Sequence, residues 1–75
     1  MEKNRLDLHG TRHIDVKRKV IRFIEDNWDQ TKGLKIITGH SHKMVNLVET
    51  VLKEYRLDYR IGDMFGIKNG TIKIL

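Results

Sequence analysis

Apolar and polar residues change their period several times along this chain, and each change predicts an element. From Arg5 to His9, Leu6 and Leu8 alternate with Arg5, Asp7 and His9, the period of a half-buried strand. Gly10 breaks the run, and Thr11 follows as a predicted helix N-cap. Between His13 and Trp28 the period becomes helical. Ile14, Val16, Val20, Ile21, Phe23, Ile24 and Trp28 fall in one half of a helical wheel, and Arg18, Lys19, Arg22, Glu25 and Asp26 fill the other. Lys17 intrudes on the apolar side, where its stem can lie along the surface. Thr31-Lys32-Gly33 ends the helix. The β-branched run Leu34 to Thr38 predicts a second strand, and Gly39 to Lys43 a polar loop. Met44 to Tyr55 predicts a second helix, with Met44, Val45, Leu47, Val48, Val51, Leu52 and Tyr55 on one face. Leu57 to Ile61 alternates as a third strand before Gly62-Asp63 interrupts it. Met64 to Ile67 and Thr71 to Leu75 flank Lys68-Asn69-Gly70, and Asn-Gly between alternating runs is a strong hairpin signal.

The order β-α-β-α-β with a terminal strand or hairpin defines an α/β fold with a mixed sheet. Right-handed crossovers place both helices on one face unless the chain reverses direction across the sheet. Two helices with one apolar arc each cover one sheet face and not two. The expected architecture is therefore a two-layer β-α-β-α-β-β sandwich with an open sheet face. The 75 residues form one domain, 1–75, with no room for a second. Cysteine is absent, which excludes disulfides, thiolate metal sites and cysteine nucleophiles and suits a reducing cytoplasm. No apolar run approaches the roughly 18 residues of a membrane span, and no h-region follows Met1, so neither a membrane nor a secretory signal is expected.

Fifteen Lys and Arg against ten Asp and Glu give a net charge of +5, which fits a polyanionic partner. Strand parity says where that charge goes. If Leu6, Leu8, Leu34 and Ile36 face the helices, then Arg5, Lys35, Arg60 and Lys73 face away as a basic platform around Asp7 and His9. The strand ends carry the second cue. In open α/β sheets, ligands bind beyond the C-terminal ends of parallel strands. The first strand ends at His9-Gly10 and the second at Thr38-Gly39-His40. If these strands are neighbours, the two loops share one rim crowded by His9, His40 and His42.

Asp7-Leu8-His9 puts two polar side chains on one strand face, where an imidazole can move protons near neutral pH. Leu6-Asp7-Leu8-His9-Gly10, an amphipathic helix after it, and Ile36-Ile37-Thr38-Gly39 closing the second strand together resemble the Smr (small MutS-related) domain family. That family opens on an L-D-L-H-G motif and carries a T-G-x-G loop at the corresponding place. The resemblance covers about Leu6 to Leu75. Here Ser41 stands where the second glycine belongs, or His40-Ser41 is the family's His-Ser pair after a deletion. The Gly-rich stretch before the last strand is also replaced, by Met64 to Gly70.

The resemblance implies a fold similar to the C-terminal domain of a bacterial translation initiation factor. It also implies nucleic-acid binding and endonuclease activity on RNA or structured DNA, in some members ribosome-associated. On this chain the D-x-H motif falls on Asp7 and His9 as catalytic residues. The expected binding residues are Arg5, Arg12, Lys35, Thr38, Gly39, His40, Ser41, His42, Lys43, Arg60 and Lys73. In that reading Asp7 orients His9 or holds a divalent metal, and backbone N–H groups at Gly39 grip phosphate. For RNA the 2′-hydroxyl is the nucleophile and no cofactor is required. For DNA, water must attack, and a hard cation such as Mg2+ enters.

Two other readings compete. A docking module with a degenerate glycine loop binds RNA, DNA or a ribosome without cutting. A zinc site built from His9, His40 and His42 uses real ligand types, although such histidines are more often exposed. Trp28, Tyr55 and Tyr59 read as packing residues, His13 as exposed, and Phe65 has no assigned place. The expected state is a monomer, and a terminal hairpin leaves an edge strand through which a dimer can form.

Overall fold

The structure is a computed structural model that describes residues 4–62 and 70–75. Its elements run β1 (Arg5–Asp7), α1 (His13–Asp26), β2 (Lys35–Ile37), α2 (His42–Glu54), β3 (Tyr59–Ile61) and β4 (Thr71–Ile74). The sheet order is β1-β2-β4-β3, with β1 parallel to β2 and β4 antiparallel to both β2 and β3. Both helix crossovers advance in the same direction across the sheet, so both helices lie on one face, as right-handed crossovers require. This is the α/β two-layer sandwich with a mixed sheet that the pattern predicts.

The two helices bury the same spacing. On α1 it is Val16, Val20, Phe23 and Ile24, and on α2 Met44, Val48, Val51 and Leu52, each at i, i+4, i+7 and i+8. These stripes meet Leu8, Leu34, Ile36, Ile72 and Ile74 from the sheet layer, all essentially inaccessible. The stripe on α1 is narrower than the predicted arc. Ile14 is 82 % exposed and Trp28 57 % exposed, because Ile14 points roughly 135° away from the stripe centre at 100° per residue. Trp28 instead meets Tyr55 edge-on with ring centroids 5.8 Å apart, so it closes the outer rim between the helices.

Local chemistry moves several predicted boundaries. The N-cap of α1 is Arg12, without a side-chain cap bond, and not Thr11. Thr11 N–H closes a turn onto the Leu8 carbonyl, and its hydroxyl accepts from Lys19. Helix α1 ends at Asp26, where the Asn27 amide donates to the Phe23 carbonyl. Helix α2 starts two residues early because Ser41 Oγ accepts the Met44 N–H and caps it. Strand β4 is paired on both sides, so among the described strands the edges are β1 and β3 rather than the terminal strand. The predicted run Met64 to Ile67, the turn residues Lys68 and Asn69, and Phe65 lie outside the described residues. Among the described residues no helix is long and apolar enough to cross a membrane.

Candidate nucleic-acid interface

The parallel pairing of β1 with β2 sets Asp7 beside Ile37, and Leu8 N–H donates to the Ile37 carbonyl at 2.9 Å. Both strands therefore end on the same rim. Asp7-Leu8-His9-Gly10 and Thr38-Gly39-His40 leave the sheet there, and α1 and α2 begin there with Arg12 and with His42 and Lys43. His9, Arg12, His42 and Lys43 are exposed, and His40 is at the surface with them.

Each motif residue has a definite local role. Asp7 Oδ1 accepts the His9 backbone N–H at 2.8 Å. The carboxylate thus positions His9 through its main chain, in an Asx-type turn, with the imidazole exposed. Thr38 is 4 % exposed. Its N–H and that of Gly39 both donate to the Gly70 carbonyl, at 2.7 and 3.1 Å, and its hydroxyl donates toward the Gly39 and Gly70 carbonyls. Thr38 and Gly39 therefore build the rim from within, and the Gly39 N–H expected to grip phosphate is already paired. Ser41 spends its hydroxyl on capping α2, a job glycine cannot do.

Beside this loop opens a cleft of about 340 Å3. It is lined by residues 38–42, by Val45, Asn46 and Glu49 of α2, and by Ile61, Gly70 and Thr71. His9 is not in its lining, so the cleft and the D-x-H motif are neighbouring features of one rim. Gly70 was legible in sequence only as a turn residue. Its actual role is close approach: a Cβ on it would stand 3.0 Å from Gly39 Cα. Asn46 and Glu49 escaped notice because polar residues at i and i+3 of a helix also describe any solvated face.

Among the described residues no three His, Cys, Asp or Glu side chains gather closely enough to hold a metal ion. The zinc reading of His9, His40 and His42 gains no support, and Asp7 is a single carboxylate already accepting a hydrogen bond.

The second grouping is on the open face. Arg5 pairs with Lys35, Lys35 with Lys73, and Lys73 with Arg60 in the strand register. The four cations form one row across all four strands. Arg60 lies along the sheet, with its Nε covered and without an acceptor among the described residues. Compared with protein-family models, with curated proteins and with solved structures, the chain matches none.

Proposed function

We propose that this chain is an Smr-like nucleic-acid-binding domain that cleaves phosphodiester bonds of RNA at the β1–β2 rim. The observation that carries the proposal is the parallel pairing of β1 with β2. It brings the D-x-H turn and the Thr-Gly turn to one end of the sheet, beside the start of both helices. His9 is the exposed base in that arrangement, held by the Asp7 carboxylate through the backbone. It takes the proton of a 2′-hydroxyl as that oxygen bonds to the adjacent phosphorus. The bond from phosphorus to the 5′-oxygen breaks, and the leaving oxygen takes a proton from water or from the imidazolium. Arg12 and Lys43 supply positive charge beside the phosphate.

A second reading is favoured by one specific observation, the engagement of the Thr38 and Gly39 N–H groups by Gly70. It lowers the rim's capacity to bind an oxyanion and suits a docking module that does not cut. Cleavage of labelled single-stranded and hairpin RNA, and of linear and branched DNA, by wild type, His9→Ala and Asp7→Asn separates the two. We expect RNA cleavage lost in His9→Ala and unchanged by EDTA. Asp7→Asn keeps the acceptor for the His9 N–H and is expected to retain much of the activity. Salt-sensitive binding without any cleavage would sink the enzyme reading and leave the docking module.

A further inference from the structure

We infer that the open sheet face is a docking surface for the backbone of a helical RNA stem, gripped by the row Arg5–Lys35–Lys73–Arg60. The inference rests on the nucleic-acid reading above and not on cleavage.

Three observations carry it. The row is one sign throughout, with three consecutive like-charged cross-strand pairs. Like charges directly opposite each other destabilise a sheet, so this arrangement costs stability that packing does not require. A polyanion laid across the row reverses that cost.

The cations of the helical layer are arranged differently. Arg12, Lys17, Arg18, Arg22 and Lys53 each pair with a carboxylate on α1 or α2. None of these ion pairs reaches Lys35, Lys73 or Arg60. Among the described residues, Asp7 and Asp58 are the acids that flank the row along β1 and β3; they stand at opposite ends of the sheet, and Asp7 is engaged with His9. Lys35, Lys73 and Arg60 thus stand on the layer facing away from the helices and take no part in the ion pairs that hold those five helical cations.

The third observation chooses the form of the nucleic acid. Single strands are held by aromatic rings on which their bases stack. Among the described residues the open face offers none. Tyr59 turns to Glu49 on α2, Phe23 is in the core, and Trp28 and Tyr55 pack together on the helical layer. A stem, whose bases are already stacked, presents phosphates and needs only charge. Three interstrand steps make the row about 14 Å long. A row of that length can meet successive backbone phosphates of an A-form stem, which proteins recognise by its shape, phosphates and 2′-hydroxyls. His9 lies four residues along the chain from Arg5, at most about 13 Å even at full strand rise. A docked stem thus leaves its flanking strand within reach of the rim.

The test is fluorescence anisotropy with a blunt 16-base-pair RNA duplex, the matched DNA duplex and a 16-nucleotide single-stranded RNA, over a salt series. Wild type is compared with K35Q/K73Q and with K19Q/R22Q, which removes the same charge from the helical layer. We expect the RNA duplex to bind tightest. We expect K35Q/K73Q to flatten its log–log salt dependence by about two, one for each phosphate no longer neutralised. K19Q/R22Q should leave the slope unchanged. K35Q/K73Q should also melt at a higher temperature than wild type, as repulsion along the row is relieved, which shows that weakened binding is not a failure to fold. Equal effects of the two double variants, or tighter binding of single-stranded RNA or of DNA, would overturn the inference while leaving the proposed function standing. No binding of any nucleic acid would overturn both.

Discussion

Arg56 is the residue that most plainly works against its own backbone. Among the described residues it is the non-glycine residue found at positive φ, +56°, just past the end of α2. Leu57 N–H donates to the Leu52 carbonyl and Arg56 N–H to the Lys53 carbonyl, both at 3.0 Å. These are the two bonds of a Schellman ending, in which the left-handed position favours glycine. Arg56→Gly is therefore expected to stabilise the protein by about 1 kcal/mol. A chemical-denaturation midpoint that falls would contradict this. Tyr59 makes a second residue-scale prediction. Burial, then its hydrogen bond to Glu49, push its phenol from 10.0 up to about 12. A folded-state value raised above the unfolded one contributes stability fully present below pH 10. That contribution is lost as pH rises toward 12. In Tyr59→Phe, stability should fall less steeply than in wild type across that window, measured by denaturation at stepped pH.

At the scale of elements, the rim depends on two loops meeting backbone to backbone. Gly70 sits at φ +78° with Gly39 against it, whereas Gly10 has the same φ and open space around it. Gly10→Ala should therefore cost only the left-handed strain, about 1 to 2 kcal/mol. Gly70→Ala should cost more and disturb the β2–α2 loop, because the atoms it meets are main chain. The two melting curves decide this, together with amide exchange at Thr38 and Gly39, which should quicken in Gly70→Ala alone. Much at this scale was legible. Alternation revealed β1 and β3, a β-branched run revealed β2, and helical periodicity revealed α1 and α2. The burial of Val16, Val20, Phe23 and Ile24 without Ile14 was not legible, since a wheel shows the arc but not how wide its partner is. Nor was the α2 start at His42, because Ser41 declares itself as a cap only once the following turn is helical.

For the molecule as a whole, parity and crossover handedness lead to the same asymmetry. One layer is helical, and many of its cations are paired. The other is the sheet, with a row of cations across it. Binding and cutting are thus predicted to separate, since His9 stands on the rim and Lys35 and Lys73 on the face. His9→Ala should bind a stem as wild type does and fail to cleave.

What the sequence by itself determined is what depends on short-range periodicity: the elements, the α/β class, the single open face and the outward parity of Arg5, Lys35, Arg60 and Lys73. These follow from side-chain direction, which a residue shares with neighbours two to four positions away. The tertiary structure alone decided what depends on residues far apart in the chain. Register lined up the four cations, because pairing between β1, β2, β4 and β3 is a property of no single strand. Insertion of β4 between β2 and β3 put Gly70 against Gly39 and committed the Thr38 and Gly39 N–H groups. Hydrogen bonds across 32 residues have no local signature, so the same Thr-Gly pair reads as a phosphate grip in the sequence and as a brace in the fold.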